Sequence, residues 1–169
     1  MPKYVVVVLA ILASGCASTY TKDTLTSPSV QLQSGVIVAI GTPEDGSYGG
    51  EPYPESGQAT ALAVRAAFSR HASEAVVLPG CRILSCLRDA APRAAYFVVP
   101  EILHWEDRAT EWSGKKDKLE VKLSVYGSQS DSPLASTIIS GKSKWMTFGG
   151  DHPQDLLPEP INTYVETLF

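Results

Sequence analysis

The chain is poor in the residues that carry most recognisable chemistry: of 169 residues, three are cysteine and three are histidine. Neither type has the spacing of a metal or redox motif. Cys81 and Cys86 miss the C-x-x-C interval of a redox pair, and no H-E-x-x-H, G-x-S-x-G or EF-hand pattern occurs. Basic charge is also scarce, since 14 Lys and Arg face 18 Asp and Glu for a formal net charge of −4. That balance argues against a nucleic-acid partner. Long apolar runs are missing too. The one at the start, Tyr4 to Leu12, falls well short of the roughly 20 residues that a spanning helix needs.

What is present begins with that short run. Lys3, a Val-rich stretch and Leu12-Ala13-Ser14-Gly15-Cys16 follow the plan of a secretory signal. The segment resembles a bacterial lipobox, with its preferred leucine one place early at Leu12 and Ala13 three positions before Cys16. The expectation is a signal peptide over residues 1–15, removed on export, and a lipid attached at Cys16. In the resembled lipoproteins the next residue sorts the product, and Ala17, being no aspartate, implies the outer membrane. Each buried CH₂ of an acyl chain contributes about 0.8 kcal/mol, so two or more chains anchor a soluble domain without any transmembrane helix. The mature chain would keep 154 of the 169 residues and lose only Lys3 among the charges. Its net charge of −5 disfavours adsorption of the domain itself to anionic lipid, leaving the acyl chains to provide the attachment.

Residues 16–34 are rich in Ser and Thr, carry Lys22 and Asp23 as their charges and show no apolar period, as expected of a flexible tether. The globular domain is expected over residues 35–169. Val36-Ile37-Val38-Ala39-Ile40, ended by Gly41, reads as a strand buried on both faces. A Gly/Pro/Tyr loop follows. Ser56 suits the cap of a helix whose stripe is Ala59, Leu62, Ala63, Ala66 and Ala67. A short strand from Glu74 to Leu78 and a helix from Arg82 to Ala91 come next, with His71 read as exposed. Ala95 to Trp105 is a third strand, in which Pro100 predicts an edge position or a bulge.

The second half changes period. Leu119, Val121, Leu123 and Val125 alternate with polar residues, the pattern of a half-buried antiparallel strand, and Leu134 to Phe148 reads as its hairpin partner, bent at Gly141. A last helix is expected from Pro160, with Ile161, Tyr164, Val165 and Leu168 as its stripe. The order βαβαβββα makes an α/β two-layer sandwich, helices packed on a mixed sheet. Cys81 and Cys86 lie too far apart for a disulfide inside one continuous helix and within reach only if Cys81 precedes it. A structural disulfide and a pair of buried small hydrophobes both remain open.

Ser140-Gly141-Lys142-Ser143 imitates the end of a phosphate loop but sits in a strand interior and lacks the upstream glycine. The richest polar groups are His104, Glu106 and Asp107 after the third strand, with His152 beyond the hairpin. They define one candidate, a metal-binding or hydrolytic site. Spacing does not enforce it, because His104 and Glu106 share a strand face while Asp107 points away. The other candidate is a recognition surface of Glu44, Asp45, Tyr48, Tyr53, Trp105, Glu106, Arg108 and Trp112, gathered where open α/β sheets bind ligands. Ion pairs, caps and core tryptophans account for the same residues without any ligand.

The segments from Thr42 to Gly49, from Ile102 through His104-Trp105-Glu106-Asp107-Arg108 to Gly114, and from Thr147 to Pro158 together resemble an uncharacterised family of proteobacterial lipoproteins defined by a domain of unknown function. The element order also resembles, at fold level only, the amino-terminal domain of TolB and the lipoprotein activators of penicillin-binding proteins. The resulting expectation is an outer-membrane lipoprotein facing the periplasm, a binding or scaffold module with no catalytic residue and no cofactor. Its partners would be the membrane, through Cys16, and an envelope protein or peptidoglycan-associated component.

Overall fold

The computed structural model describes residues 18–108, 116–144 and 152–169. Its centre is a six-stranded mixed sheet in the order β1 (Thr19–Thr26), β8 (Ala135–Lys142), β7 (Lys118–Gly127), β6 (Tyr96–Glu106), β2 (Ile37–Gly41), β5 (Glu74–Leu78). The apolar run over β2 (Ile37–Gly41) pairs in parallel with both β5 (Glu74–Leu78) and β6 (Tyr96–Glu106). Buried on both sides, it has no room for a polar alternation. The period-two segment is β7 (Lys118–Gly127), which pairs antiparallel with β6 and with β8 (Ala135–Lys142). The α/β sandwich read from the sequence is therefore the observed architecture.

Two helices cover one face. Val64, Ala67 and Phe68 of α1 (Ser56–Phe68) and Ile161, Tyr164 and Val165 of α3 (Pro158–Glu166) pack on Val38, Ile40, Val98, Val121 and Leu123. The helix α2 (Leu84–Ala90) sits on the opposite face, where Leu87 meets Ala39, Phe97 and Val99. It starts at Leu84 rather than Arg82. Cys81 thus precedes the helix, and the Cys81–Cys86 disulfide closes across a Cα separation of 5.3 Å. The final helix likewise begins at Pro158, after a 3-10 turn over Pro153–Leu156.

Three readings of the sequence need correction. The stretch expected to be a tether contains β1 (Thr19–Thr26), an edge strand paired antiparallel with β8. Its residues are mostly exposed, so it shows no apolar period, and backbone pairing with β8 holds it instead. Gly141 is no bend. It stays in register with Tyr20 and Leu119, and the space a Cβ would take is filled by Leu156 at 3.2 Å. His71 is not a free surface group, since its ring stacks on Phe169 at 4.4 Å and lies 3.4 Å from Glu166.

Pro100 lies just past the last residue of β6 that β2 reaches, where that side of the strand is an edge. A bulge follows two residues later. Ile102 faces Val121 and His104 faces Glu120, leaving Leu103 as the extra residue. Because side chains alternate along a strand, one inserted residue exchanges the faces of everything beyond it. Ile102 and Trp105 therefore both join the core, and His104 and Glu106 emerge together on the other face.

Candidate functional site

Beyond the bulge, β6 continues past the ends of β2 and β5 and is flanked by a small hairpin, β3 (Ser47–Tyr48) and β4 (Glu51–Pro52). The hairpin approaches β6 through Gly46, where a Cβ would stand 2.5 Å from that of Trp105. This close seating brings Tyr48 over the polar face of β6. The Tyr48 ring meets the His104 ring edge-on at 5.3 Å, and the Arg108 guanidinium lies 5.7 Å from its centroid.

At the centre is Glu106, whose side chain is 1% exposed. Arg108 pairs with its Oε1, His104 Nε2 lies 3.2 Å from Oε2, and Lys118 Nζ stands 3.6 Å from Oε2. Burial alone would raise the Glu106 pKa. Hydrogen bonds from His104, Arg108 and Tyr48, with the charge of Lys118, outweigh it and hold the carboxyl below its ordinary range. A carboxylate held ionised by Arg108 and Lys118 is a poor proton donor. Its partners are better suited to fixing the hairpin on the strand.

The opposite face of the same strand end forms a second cluster. His152 Nδ1 lies 3.2 Å from Asp107 Oδ2, and Tyr53 donates from its hydroxyl to the Asp107 carbonyl at 3.2 Å. These residues border a groove of about 570 Å³ between β6 and the start of α1, with Trp105 at its base. The four residues of the metal or hydrolytic candidate thus separate into two pairs, His104 with Glu106 and His152 with Asp107. Among the described residues no three of His, Cys, Asp and Glu converge on a common point.

The recognition candidates scatter in the same way. Tyr48, Glu106 and Arg108 meet. Tyr53 belongs to the groove, and Glu44 pairs with Arg82 at 2.8 Å on an exposed surface. Asp45 caps α1 from outside the helix, its Oδ1 accepting from the Gly57 amide at 2.8 Å and its Oδ2 from the Glu55 amide at 3.2 Å. Ser56, expected to be the cap, is instead the first helical residue and donates its hydroxyl to the Tyr53 carbonyl at 2.7 Å. Trp105 is 2% exposed and belongs to the core rather than to a surface. Trp112 lies outside the described residues.

A model for a domain of unknown function, DUF4823, matches residues 30–168. The chain belongs to the DUF4823 family. No curated protein matches it. Among solved structures, it is similar to the PelC dodecamer from Paraburkholderia phytofirmans, with a TM-score of 0.69 at 12% identity over 89% of this chain and 97% of that one. It is also similar to protein XCC0632 from Xanthomonas campestris, of the DUF330 family, with a TM-score of 0.54 at 12% identity over 85% and 90%. At such identity the likeness is one of fold alone.

Two residues of the DUF4823 domain that motif reading passed over complete the site. Asp117, 5% exposed, accepts the Arg108 amide on Oδ1 at 2.6 Å and exchanges backbone and hydroxyl hydrogen bonds with Ser143. Burial raises its pKa. The Arg108 amide and Ser143 hydroxyl pull it down, and Asp107 pushes it up again. Lys118, read only as a polar position of an alternating strand, stands opposite Glu106 in the β6–β7 register. Hairpin register was the signal that would have found it.

Proposed function

We propose that this DUF4823 protein is an outer-membrane lipoprotein held by acyl chains on Cys16, whose domain binds or scaffolds another component of the cell envelope and performs no chemistry itself. The address rests on Leu12-Ala13-Ser14-Gly15-Cys16 with Ala17 behind it. The reading of the domain rests on one observation above all: the most buried carboxylate of the candidate site, Glu106, is engaged by Arg108, His104 and Lys118. Charges engaged with one another in this way order a surface, and they leave Glu106 itself ill-suited to proton transfer. PelC, which shares the fold, is solved as a dodecamer, and this favours assembly with copies of this chain. DUF4823 proteins would then act by position and contact.

Metabolic labelling with palmitate, followed by crosslinking in intact envelopes, tests both parts. Label should enter the native chain and be absent from Cys16→Ala, and a reproducible crosslinked species should form in the native chain alone. An unlabelled native chain refutes the anchor. Labelling without any crosslinked species refutes the scaffold role.

A further inference from the structure

The strand β1 changes what lipidation at Cys16 would do. Only two residues separate Cys16 from Thr19, where β1 begins, so the two Cα atoms are at most about 11 Å apart. Thr19 in turn faces Lys142 in β8, Lys142 faces Lys118 in β7, and Lys118 faces Glu106 in β6. Register therefore carries the attachment point to one particular end of the sheet. With neighbouring strands about 5 Å apart, the Lys142 Cα lies within about 16 Å of that of Cys16.

Among the described residues that end is rich in lysine although the chain as a whole is acidic. Lys116, Lys118, Lys142 and Lys144 all cluster there, and Lys142 and Lys144 are exposed. Among the described residues Lys118 alone of the four has an ion-pair partner, Glu106. Of the acidic groups there, Glu106 is 1% and Asp117 5% exposed, both engaged in hydrogen bonds, Asp107 is paired with His152, and Asp155, beside the Leu156 that packs on Gly141, is exposed. Glu120 faces Ser140, two positions further from the end. The opposite end, at the turn between β7 and β8, carries Asp131, ion-paired with Arg88 at 2.6 Å. Among the described residues, Lys116, Lys142 and Lys144 thus stand without an ion-pair partner at the end beside the point of lipid attachment.

Resting on the lipid anchor proposed above, we infer that this lysine-bearing end is a phospholipid-facing surface. Lys142 and Lys144, flanked by Lys116 and Lys118, contact the anionic headgroups of the membrane that holds the Cys16 acyl chains. The domain is seated with that end down rather than swinging on a tether. A juxtamembrane lysine gains about 1 kcal/mol at an anionic surface, or about five-fold in the seated population per lysine. The attraction is screened beyond a Debye length of about 8 Å at physiological salt, which a chain this short does not exceed by much. The net charge of −5 expected to keep the domain off anionic lipid is therefore overridden locally.

The test uses the full lipidated chain reconstituted into vesicles of phosphatidylcholine, with or without phosphatidylglycerol. A bimane probe is placed near the basic end by Ser140→Cys or at the far end by Ser128→Cys, and a spin-labelled lipid headgroup serves as quencher. The eight residues of β8 separate the two ends by about 25 Å. With phosphatidylglycerol, quenching should be several-fold stronger at position 140. The contrast should shrink in pure phosphatidylcholine and in the Lys142→Gln/Lys144→Gln double variant, whose exposed positions leave the fold intact. Equal quenching at both ends, or a contrast indifferent to phosphatidylglycerol and to the double variant, overturns the inference. Intact-mass measurement reads acylation of Cys16 separately: an acylated chain with equal quenching refutes the seating alone, and an unacylated chain refutes anchor and seating together.

Discussion

Removing the Glu106 carboxylate and removing its strongest partner should have unequal effects, and the inequality follows from exposure. In Glu106→Gln the charge is lost but the volume stays. The three partners left behind are all in reach of water, with side-chain exposures of 35% for His104, 28% for Arg108 and 43% for Lys118. None is stranded, so the cost is that of the lost charged hydrogen bonds, about 1.5–3 kcal/mol. Arg108→Ala does the reverse. It leaves a 1% exposed carboxylate with weaker partners, and an uncompensated buried charge costs more than a hydrated one. Arg108→Ala should therefore be the more destabilising variant, although Arg108 is the more exposed residue. Urea unfolding of both variants and of their combination measures this. The double variant should cost less than the two single costs added, because each removes the same pair. The pH dependence has a definite sign. A carboxyl with a lowered folded pKa contributes stability that is fully present above its unfolded value, near 4.5, and that is lost as pH falls through the folded value. The advantage of the native chain over Glu106→Gln should accordingly vanish in acid. A larger cost for Glu106→Gln than for Arg108→Ala, or an advantage that survives at pH 2, would refute the closed ion network.

Asp117 should behave in the opposite sense. Its folded pKa is raised, so the native chain should lose stability relative to Asp117→Asn as pH rises through that value, read from urea midpoints across the acid range. Gly57→Ala should lower the thermal midpoint, since the new Cβ would stand 2.3 Å from the Pro43 carbonyl oxygen, a strain of about 1–3 kcal/mol. Tyr164→Phe should be neutral or stabilising by up to about 1 kcal/mol, because the buried Tyr164 hydroxyl has no hydrogen-bond partner among the described residues and burial alone pushes its pKa up to about 12. Reducing the Cys81–Cys86 disulfide should cost about 2 kcal/mol, the chain-entropy value for so short a loop, seen as a lower midpoint in the presence of reductant.

Much of this molecule is legible in local pattern. The continuous apolar run at Val36 to Ile40, the alternation from Leu119 to Val125 and the stripe from Ile161 to Leu168 each record how many faces of an element are buried. Burial is a property the side chains themselves must satisfy, so it is written into their order. The resemblance to a lipobox at Cys16 is read for a different reason, as a proposed linear signal that would require no fold. What the sequence does not record is pairing. Thr19 to Thr26 carry no apolar period because an edge strand is held by backbone hydrogen bonds, and only the register with β8 turns an apparent tether into part of the sheet. The bulge at Leu103 has only Pro100, three residues earlier, as a local sign, yet it decides that Trp105 enters the core and that the face shared by His104 and Glu106 is the outer one. Lys118 reaches Glu106, and Asp45 reaches α1, through contacts made by residues far apart in the chain. The sequence by itself marked most of the faces that are buried and motivates the address proposed for the protein. The tertiary structure decided which charges meet, and which end of the sheet lies beside the cysteine, because both depend on strand register and on nothing nearer.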